Sequence, residues 1–173
     1  DDGHRPWEGW NPMSDEAAAL AEITDVPGAG EDTATPEAEP TASILVYSDD
    51  RGVRDQVRLT LGRRVAADLP QVEVVECATH HALTKILDGG GIDVVIMDAE
   101  ATPAGGMGMC RQVKDEIAGC PPVLLLVARV ADAWLATWSR ADAVVAYPID
   151  PIRLPEAVAG LLRARLASGA TAQ

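Results

Sequence analysis

Five short apolar runs recur along the chain from about residue 43 onwards, with amphipathic segments between them. They cover residues 44–47, 72–77, 92–98, 123–127 and 143–147. The runs show little alternation of polar and apolar residues, which is typical of strands buried on both faces of a parallel sheet. The pattern therefore predicts five parallel strands.

The segments between the runs carry apolar residues three or four positions apart, as amphipathic helices do. One such face is Val53, Val57 and Leu61, and the glycines at 89–91 supply a stop for the helix that begins near residue 80. A helix is also expected near residues 132–140, and Asp150 with Pro151 should start the last helix as cap and first turn. Five strand–helix units with short connections predict an α/β fold, a doubly wound three-layer sandwich.

Two of the predicted strands end on carboxylates. Asp49 and Asp50 follow the first strand directly after Ser48, and Asp98 closes the third strand. In parallel sheets, ligands and chemistry collect at the carboxyl ends of the strands. We therefore expect an acidic pocket at this edge, formed by Ser48, Asp49, Asp50 and Asp98.

The first 42 residues differ in composition from the rest of the chain. They hold eleven acidic residues and one arginine, so −10 of the −13 net charge lies in this segment. Such a segment cannot bury enough apolar surface to fold alone. We expect an extended N-terminal arm with one short helix at residues 15–23, in which Trp7 and Trp10 bind a partner protein. Residues 43–167 would then form the compact domain, and residues 168–173 a C-terminal tail.

Charge and apolar pattern exclude several classes of protein. A sequence pI near 4.5 argues against binding nucleic acid or an anionic membrane through bulk charge. No apolar run approaches the roughly twenty residues that span a bilayer. Cys77, Cys110 and Cys120 lack metal-ligand spacing and are expected to be reduced thiols of a cytoplasmic protein. The glycine-rich segment 105–108 lacks the spacing of a nucleotide-binding loop.

The segment 140–154 reads RADAVVAYPIDPIRL, and it resembles without gaps the strand-five-to-helix-five region of the receiver domain of bacterial response regulators. The resemblance extends from Ser43 to about Leu166 and implies a sheet with the strand order 2-1-3-4-5. It places Asp98 at the position of the phospho-accepting aspartate, with Gly106 eight residues later as in the family. Pro103 is displaced by one position from the proline that receivers carry in this loop.

The same resemblance identifies groups that this chain lacks. In receivers, the transferred phosphoryl group is neutralised by an oxygen-bound Mg²⁺, a lysine and a hydroxyl donor. Here the first metal-binding acid aligns with Ser48, the hydroxyl with Val127, the lysine with Tyr147 and the aromatic switch residue with Val144. Asp98 is therefore expected to be a vestigial phospho-acceptor, in a protein that is not an enzyme and holds no resident cofactor. Mg²⁺ bound by Asp49 and Asp98 is the alternative.

Trp134 and Trp138 lie one turn apart on the predicted fourth helix. The resemblance places Trp138 where receivers usually carry a solvent-facing charged residue. It also implies that helix four, strand five and helix five form the face used for partners. We expect both tryptophans and Tyr147 to contribute to a protein-binding surface. Burial of the two indoles in the core is the alternative.

These observations predict a non-catalytic, constitutive receiver-like interaction module. The segments 46–51, 101–110 and 132–140 also resemble the orphan receiver-like proteins of mycobacteria. That resemblance implies an accessory subunit of the proton-pumping NADH:menaquinone oxidoreductase, respiratory complex I, bound to its cytoplasmic arm at the inner face of the plasma membrane. One alternative is a single-domain response regulator that accepts phosphate on Asp98 in a two-component phosphorelay. A flavodoxin-like cofactor enzyme is disfavoured, because no phosphate-cradling loop follows the first strand.

Overall fold

The computed structural model describes residues 39–170. The predicted arm, including its helix at residues 15–23 and the tryptophans Trp7 and Trp10, lies outside these residues. The last three residues of the predicted tail, 171–173, lie outside them as well. Within residues 39–170, no helix is long and apolar enough to cross a membrane.

Strands and helices alternate along the described chain. The strands are β1 (Thr41–Tyr47), β2 (Gln71–Cys77), β3 (Val94–Asp98), β4 (Val123–Val127) and β5 (Ala143–Ala146). The α-helices are α1 (Arg51–Leu61), α2 (His80–Asp88), α3 (Gly106–Glu116), α4 (Ala133–Ser139) and α5 (Arg153–Ala170), and a 3₁₀ turn at Val130–Asp132 precedes α4. The strands form one parallel sheet in the order β2-β1-β3-β4-β5. The predicted doubly wound α/β fold and its strand order are confirmed.

Two hydrophobic layers hold the sheet between the helices. On one side, Ile44 and Val46 of β1 pack with apolar residues of α1 and α5. On the other side, Leu45 and Tyr47 pack with apolar residues of α2 and α3. This alternation follows from the two-residue period of a strand. Because β3 and β4 are buried along their whole length, the carboxyl ends of the central strands are fixed at one edge of the sheet.

The first strand begins earlier than the apolar run indicated. β1 starts at Thr41, because its backbone already pairs with Gln71 of β2 at that point. The backbone N–H of Ser43 also donates to the Asp93 carboxylate at 2.8 Å, which ties the strand to the segment before β3. Polar and small residues can therefore extend a central strand when neighbouring backbone satisfies their hydrogen bonds.

The last helix begins later than predicted. Oδ1 of Asp150 accepts hydrogen bonds from the N–H groups of Ile152 and Arg153, at 2.8 and 2.9 Å, so the predicted cap is confirmed. The helix itself starts at Arg153, and Pro151 lies in the turn before it rather than in its first turn. The helix then continues to Ala170, three residues beyond the end that was predicted for the compact domain.

Candidate functional site

Asp98 forms the floor of the candidate site at the carboxyl edge of the sheet. It is the last residue of β3 and is only 3% exposed. The hydroxyl of Ser48 donates to Oδ2 of Asp98 at 2.7 Å, and the backbone N–H of Glu100 donates to Oδ1 at 3.0 Å. Both oxygens of the buried carboxylate are thus hydrogen-bonded to the protein itself, as a buried charge requires.

Ser48 follows β1 directly and is completely buried. Its oxygen accepts a hydrogen bond from the backbone N–H of Asp50 at 3.1 Å while its proton goes to Asp98. A serine hydroxyl donates one hydrogen, so Ser48 brings a donor to the position where receivers carry the first metal-binding acid. Ser48 and Asp98 are thus joined by a direct hydrogen bond.

The two acids after Ser48 have separate roles. Asp49 is exposed, and its Oδ2 accepts from the hydroxyl of Thr102 at 2.7 Å. Asp50 is the N-cap of α1, and its Oδ1 accepts from the N–H of Gly52 at 2.7 Å. Within residues 39–170, no group of three His, Cys, Asp or Glu side chains is arranged to hold a metal ion. Mg²⁺ binding by Asp49 and Asp98 therefore stays a prediction.

The Thr102 hydrogen bond is the main reason why the pKa of Asp49 lies below its ordinary value. We expect Thr102→Val, which removes the hydroxyl but keeps the side-chain size, to raise that pKa towards the ordinary value. A carboxyl group whose pKa is depressed in the folded state stabilises the fold above its unfolded pKa, and this contribution is lost as the pH falls through the folded pKa. The variant should therefore lose less stability than the parent on acidification.

An NMR titration of the Asp49 carboxyl carbon checks this prediction. Asp55 serves as an internal control, because its pKa is lowered by Arg58 and not by Thr102. An unchanged Asp49 pKa in the variant would show that the Thr102 hydroxyl does not hold this carboxylate in solution.

The loop between β3 and α3 covers the site through two contacts that the sequence did not reveal. Besides the Thr102–Asp49 hydrogen bond, the buried hydroxyl of Tyr47 donates to the carbonyl of Ala104 at 2.6 Å. Both contacts join residues more than fifty positions apart in the sequence. The only sequence signal for these two contacts is that Tyr47 and Thr102 each carry a hydroxyl group.

The opposite wall of the site is formed by β4 and the segment after β5. Val127 is buried and offers no hydrogen-bond donor. The hydroxyl of Tyr147 is buried near the Asp98 carboxylate, but it makes no hydrogen bond of ordinary length among the described residues. Burial raises the Tyr147 pKa first, followed by the nearby negative charge of Asp98. The neighbouring charges of Asp98, Asp50 and Glu100 all act in the same direction, so Tyr147 stays neutral beside an acidic centre.

Arg54 is a cation in direct contact with the turn after β1, and sequence reasoning missed it. Its Nη1 donates to the carbonyls of Ser48 and Asp49, at 2.6 and 3.3 Å. Its Nε lies 3.3 Å from Oε2 of Glu76. The guanidinium therefore orders the backbone of this turn, while its charge is paired with Glu76. The chain contains two lysines, of which Lys114 is bonded to Asp142 at 2.6 Å and Lys85 lies in the last turn of α2.

A groove of about 450 Å³ adjoins the site along β5 and α5. Val144, at the position of the receiver switch residue, lines it together with Val130, Tyr147 and Arg153. Trp134 and Trp138 are not among the residues that line this groove; they are 69% and 56% exposed on α4. The structure thus brings Tyr147 and Val144 together but places the tryptophans elsewhere.

Comparison with known proteins agrees with this fold. No family model matches the chain. Uncharacterized response regulatory proteins from two strains of Mycobacterium tuberculosis are each 50% identical to it over 129 residues, which cover 75% of this chain and 97% of the relative.

Solved structures show the same architecture. A chemotaxis response regulator of Vibrio cholerae superposes with a TM-score of 0.60 at 20% identity, over 71% of this chain and all of the other. A LuxR-family two-component response regulator from an Aurantimonas species gives 0.62 at 26% identity, over 73% of this chain and 88% of the other.

Proposed function

This chain belongs to the response-regulator family and contains a receiver domain, and from that premise we propose that it acts by constitutive protein binding rather than by a phosphorylation switch. The observation that carries the proposal is the hydrogen bond from Ser48 to Asp98. It places a neutral hydroxyl in contact with the Asp98 carboxylate, at the position where receivers carry the first acid that binds Mg²⁺. The chain then acts as an interaction module and not as an enzyme.

The electrostatics of the site support this proposal. A phosphoryl group on Asp98 adds negative charge beside Asp49, Asp50 and Glu100, and it would need cationic and hydrogen-bonding partners. Val127 supplies no donor, and Tyr147 supplies no positive charge. Removing one preorganised electrostatic partner costs on the order of a hundredfold in rate. With several partners missing, phosphoryl transfer to Asp98 should be very slow.

We expect the purified protein to remain unmodified when it is incubated with acetyl phosphate and Mg²⁺. The physical reason is the lack of groups that stabilise the charge of the transferring phosphoryl group. Intact-mass spectrometry measures the outcome directly, and an ordinary response-regulator receiver treated in parallel shows that the donor is active. Labelling of the parent that disappears in Asp98→Asn would contradict the proposal.

The finer proposal concerns the assembly in which the module works. The resemblance to the orphan receiver-like proteins of mycobacteria supports a role as an accessory subunit of respiratory complex I, at the inner face of the plasma membrane. Any redox activity would then belong to the partner complex. Co-purification of the native protein from membranes, with mass spectrometry of the associated subunits, tests this assignment; elution of the protein alone as a monomer would contradict it.

The second candidate is a single-domain response regulator in a phosphorelay. It is favoured by one observation: Asp98 still stands at the carboxyl end of a central strand, with Asp49 after the neighbouring strand. The labelling experiment separates the two candidates, because the phosphorelay requires a modified Asp98 and constitutive binding does not. Incubation with phosphorylated histidine kinases of the host extends the test to the physiological type of donor.

A further inference from the structure

Trp134 and Trp138 are both exposed on α4, and Trp138 lies beside α3. The centre of a Trp138 ring is 6.0 Å from Cζ of Arg111, and Nη1 of Arg111 donates to the Trp138 carbonyl at 3.0 Å. We define the α3–α4 surface by Arg111, Asp115, Trp134, Trp138 and Arg140. It differs from the predicted α4–β5–α5 face, since the groove along β5 is lined by neither indole.

Two arginines on the α3–α4 surface share one carboxylate. Nε of Arg111 lies 2.8 Å from Oδ2 of Asp115, and Nη1 of Arg140 lies 2.6 Å from Oδ1 of the same residue. Arg140 reaches Asp115 from directly after α4, where its backbone takes a left-handed conformation with φ 62°. Among the five residues that define the surface one positive charge is therefore left in excess, although the chain as a whole carries a net charge of −13.

The surface also has the properties of a binding hot spot. Trp and Arg are the residues most enriched at the energetic centres of protein interfaces. The contacts of Arg111 with the Trp138 ring and carbonyl hold this part of the surface in place before any partner arrives. Such pre-ordering lowers the entropy cost of binding. Exposed indoles one turn apart are otherwise unfavourable in water, which marks the surface as an interaction site.

We infer that the α3–α4 surface docks an acidic segment of a partner protein, whose carboxylate pairs with Arg111 or Arg140 and whose apolar side chains cover Trp134 and Trp138. The inference rests on the proposed function and adds to it the docking face and the chemistry of the partner. None of the residues that define the surface belongs to the Asp98 site. Docking there does not require phosphorylation, which is what a constitutive module needs.

The test uses the tagged full-length chain, expressed in its host in place of the native protein. A photo-cross-linking amino acid at Thr137, which is exposed on α4, captures the docked segment for identification by mass spectrometry. We expect Trp134→Ala combined with Trp138→Ala, and separately Arg111→Glu, to lower the amount of co-purified partner at least about tenfold. The captured peptide should be rich in acidic and apolar residues, and capture should weaken as salt is added.

Matched controls lie on α1, on the opposite side of the sheet. Leu59→Ala removes an apolar side chain that is 73% exposed, and Arg51→Glu reverses a charge on a side chain that is 85% exposed. Both should retain the partner, and thermal melts should show that every variant is folded. If the tryptophan variant keeps its partner, the surface is wrong but the proposed function stands. If the parent chain elutes alone, both fail. A captured peptide that is basic, or that comes from a second copy of this chain, overturns the acidic partner.

Discussion

A variant that combines Ser48→Asp, Val127→Thr and Tyr147→Lys is expected to take phosphate from acetyl phosphate in the presence of Mg²⁺, while the parent stays unmodified. The first change adds the missing carboxylate beside Asp98, the second adds a hydroxyl at the end of β4, and the third adds a cation. Since one preorganised electrostatic partner contributes on the order of a hundredfold in rate, restoring three should increase the rate of labelling by at least that factor. Intact-mass spectrometry after a timed incubation gives the rate.

Three controls make this result interpretable. The same triple variant carrying Asp98→Asn should stay unlabelled, which identifies the modified residue. Omitting Mg²⁺ should abolish labelling, because the carboxylate added at position 48 would otherwise repel Asp98. Circular dichroism should show that the triple variant is folded. If the folded triple variant is phosphorylated no faster than the parent, the absence of these three groups does not explain the lack of phosphoryl transfer to Asp98.

The periodicity of the sequence was sufficient to predict five parallel strands, whereas their order came from the resemblance to receivers. Runs without polar alternation identified strands buried on both faces, and the position of Asp98 at the end of one run placed it at the carboxyl edge. The predicted ends of the strands and helices were less accurate, because they depend on contacts between distant segments. Thr41 belongs to β1 through pairing with β2, which the residues around Thr41 do not encode.

The division of roles among the three neighbouring polar residues could not be predicted from their spacing. Ser48, Asp49 and Asp50 are consecutive, yet Ser48 bonds to Asp98, Asp49 to Thr102, and Asp50 to the first turn of α1. The direction of each of these side chains is set by the sharp turn of the backbone between β1 and α1. The same holds for Arg54, whose contacts with two carbonyls of that turn depend on how α1 packs.

The surroundings of the tryptophans likewise could not be fully predicted from the sequence. The family register predicted that Trp138 faces solvent, and the structure confirms its exposure along with that of Trp134. Its neighbour Arg111 lies 27 residues earlier in the sequence, on another helix. Only the packing of α3 against α4 reveals that Arg111 flanks the indole. The predicted role of these tryptophans in partner binding stays a prediction.

Because α3 comes close to Asp98 at Gly106, a substitution there should change stability more than any other single substitution in the site. A Cβ added at Gly106 would overlap the carbonyl group of Asp98, with only 2.7 Å to its carbon atom. Backbone cannot move aside as a flexible side chain can, so α3 would have to shift away from β3. We expect Gly106→Ala to lower the free energy of unfolding by about 2 kcal/mol or more, as measured by urea denaturation.

Gly108 provides a control on the same helix, two residues further on. A Cβ there meets nothing within 4 Å, and the residue is exposed, so Gly108→Ala should instead raise stability by about 0.5–1 kcal/mol through helix propensity. The two variants share the same chemical change and differ only in the space around it. If the free energy of unfolding falls in one variant and rises in the other, Gly106 is required because α3 contacts the Asp98 carbonyl. A general property of glycine in this helix would affect both positions alike. Equal effects of the two substitutions would contradict that explanation, since α3 could then move away from β3 at little cost.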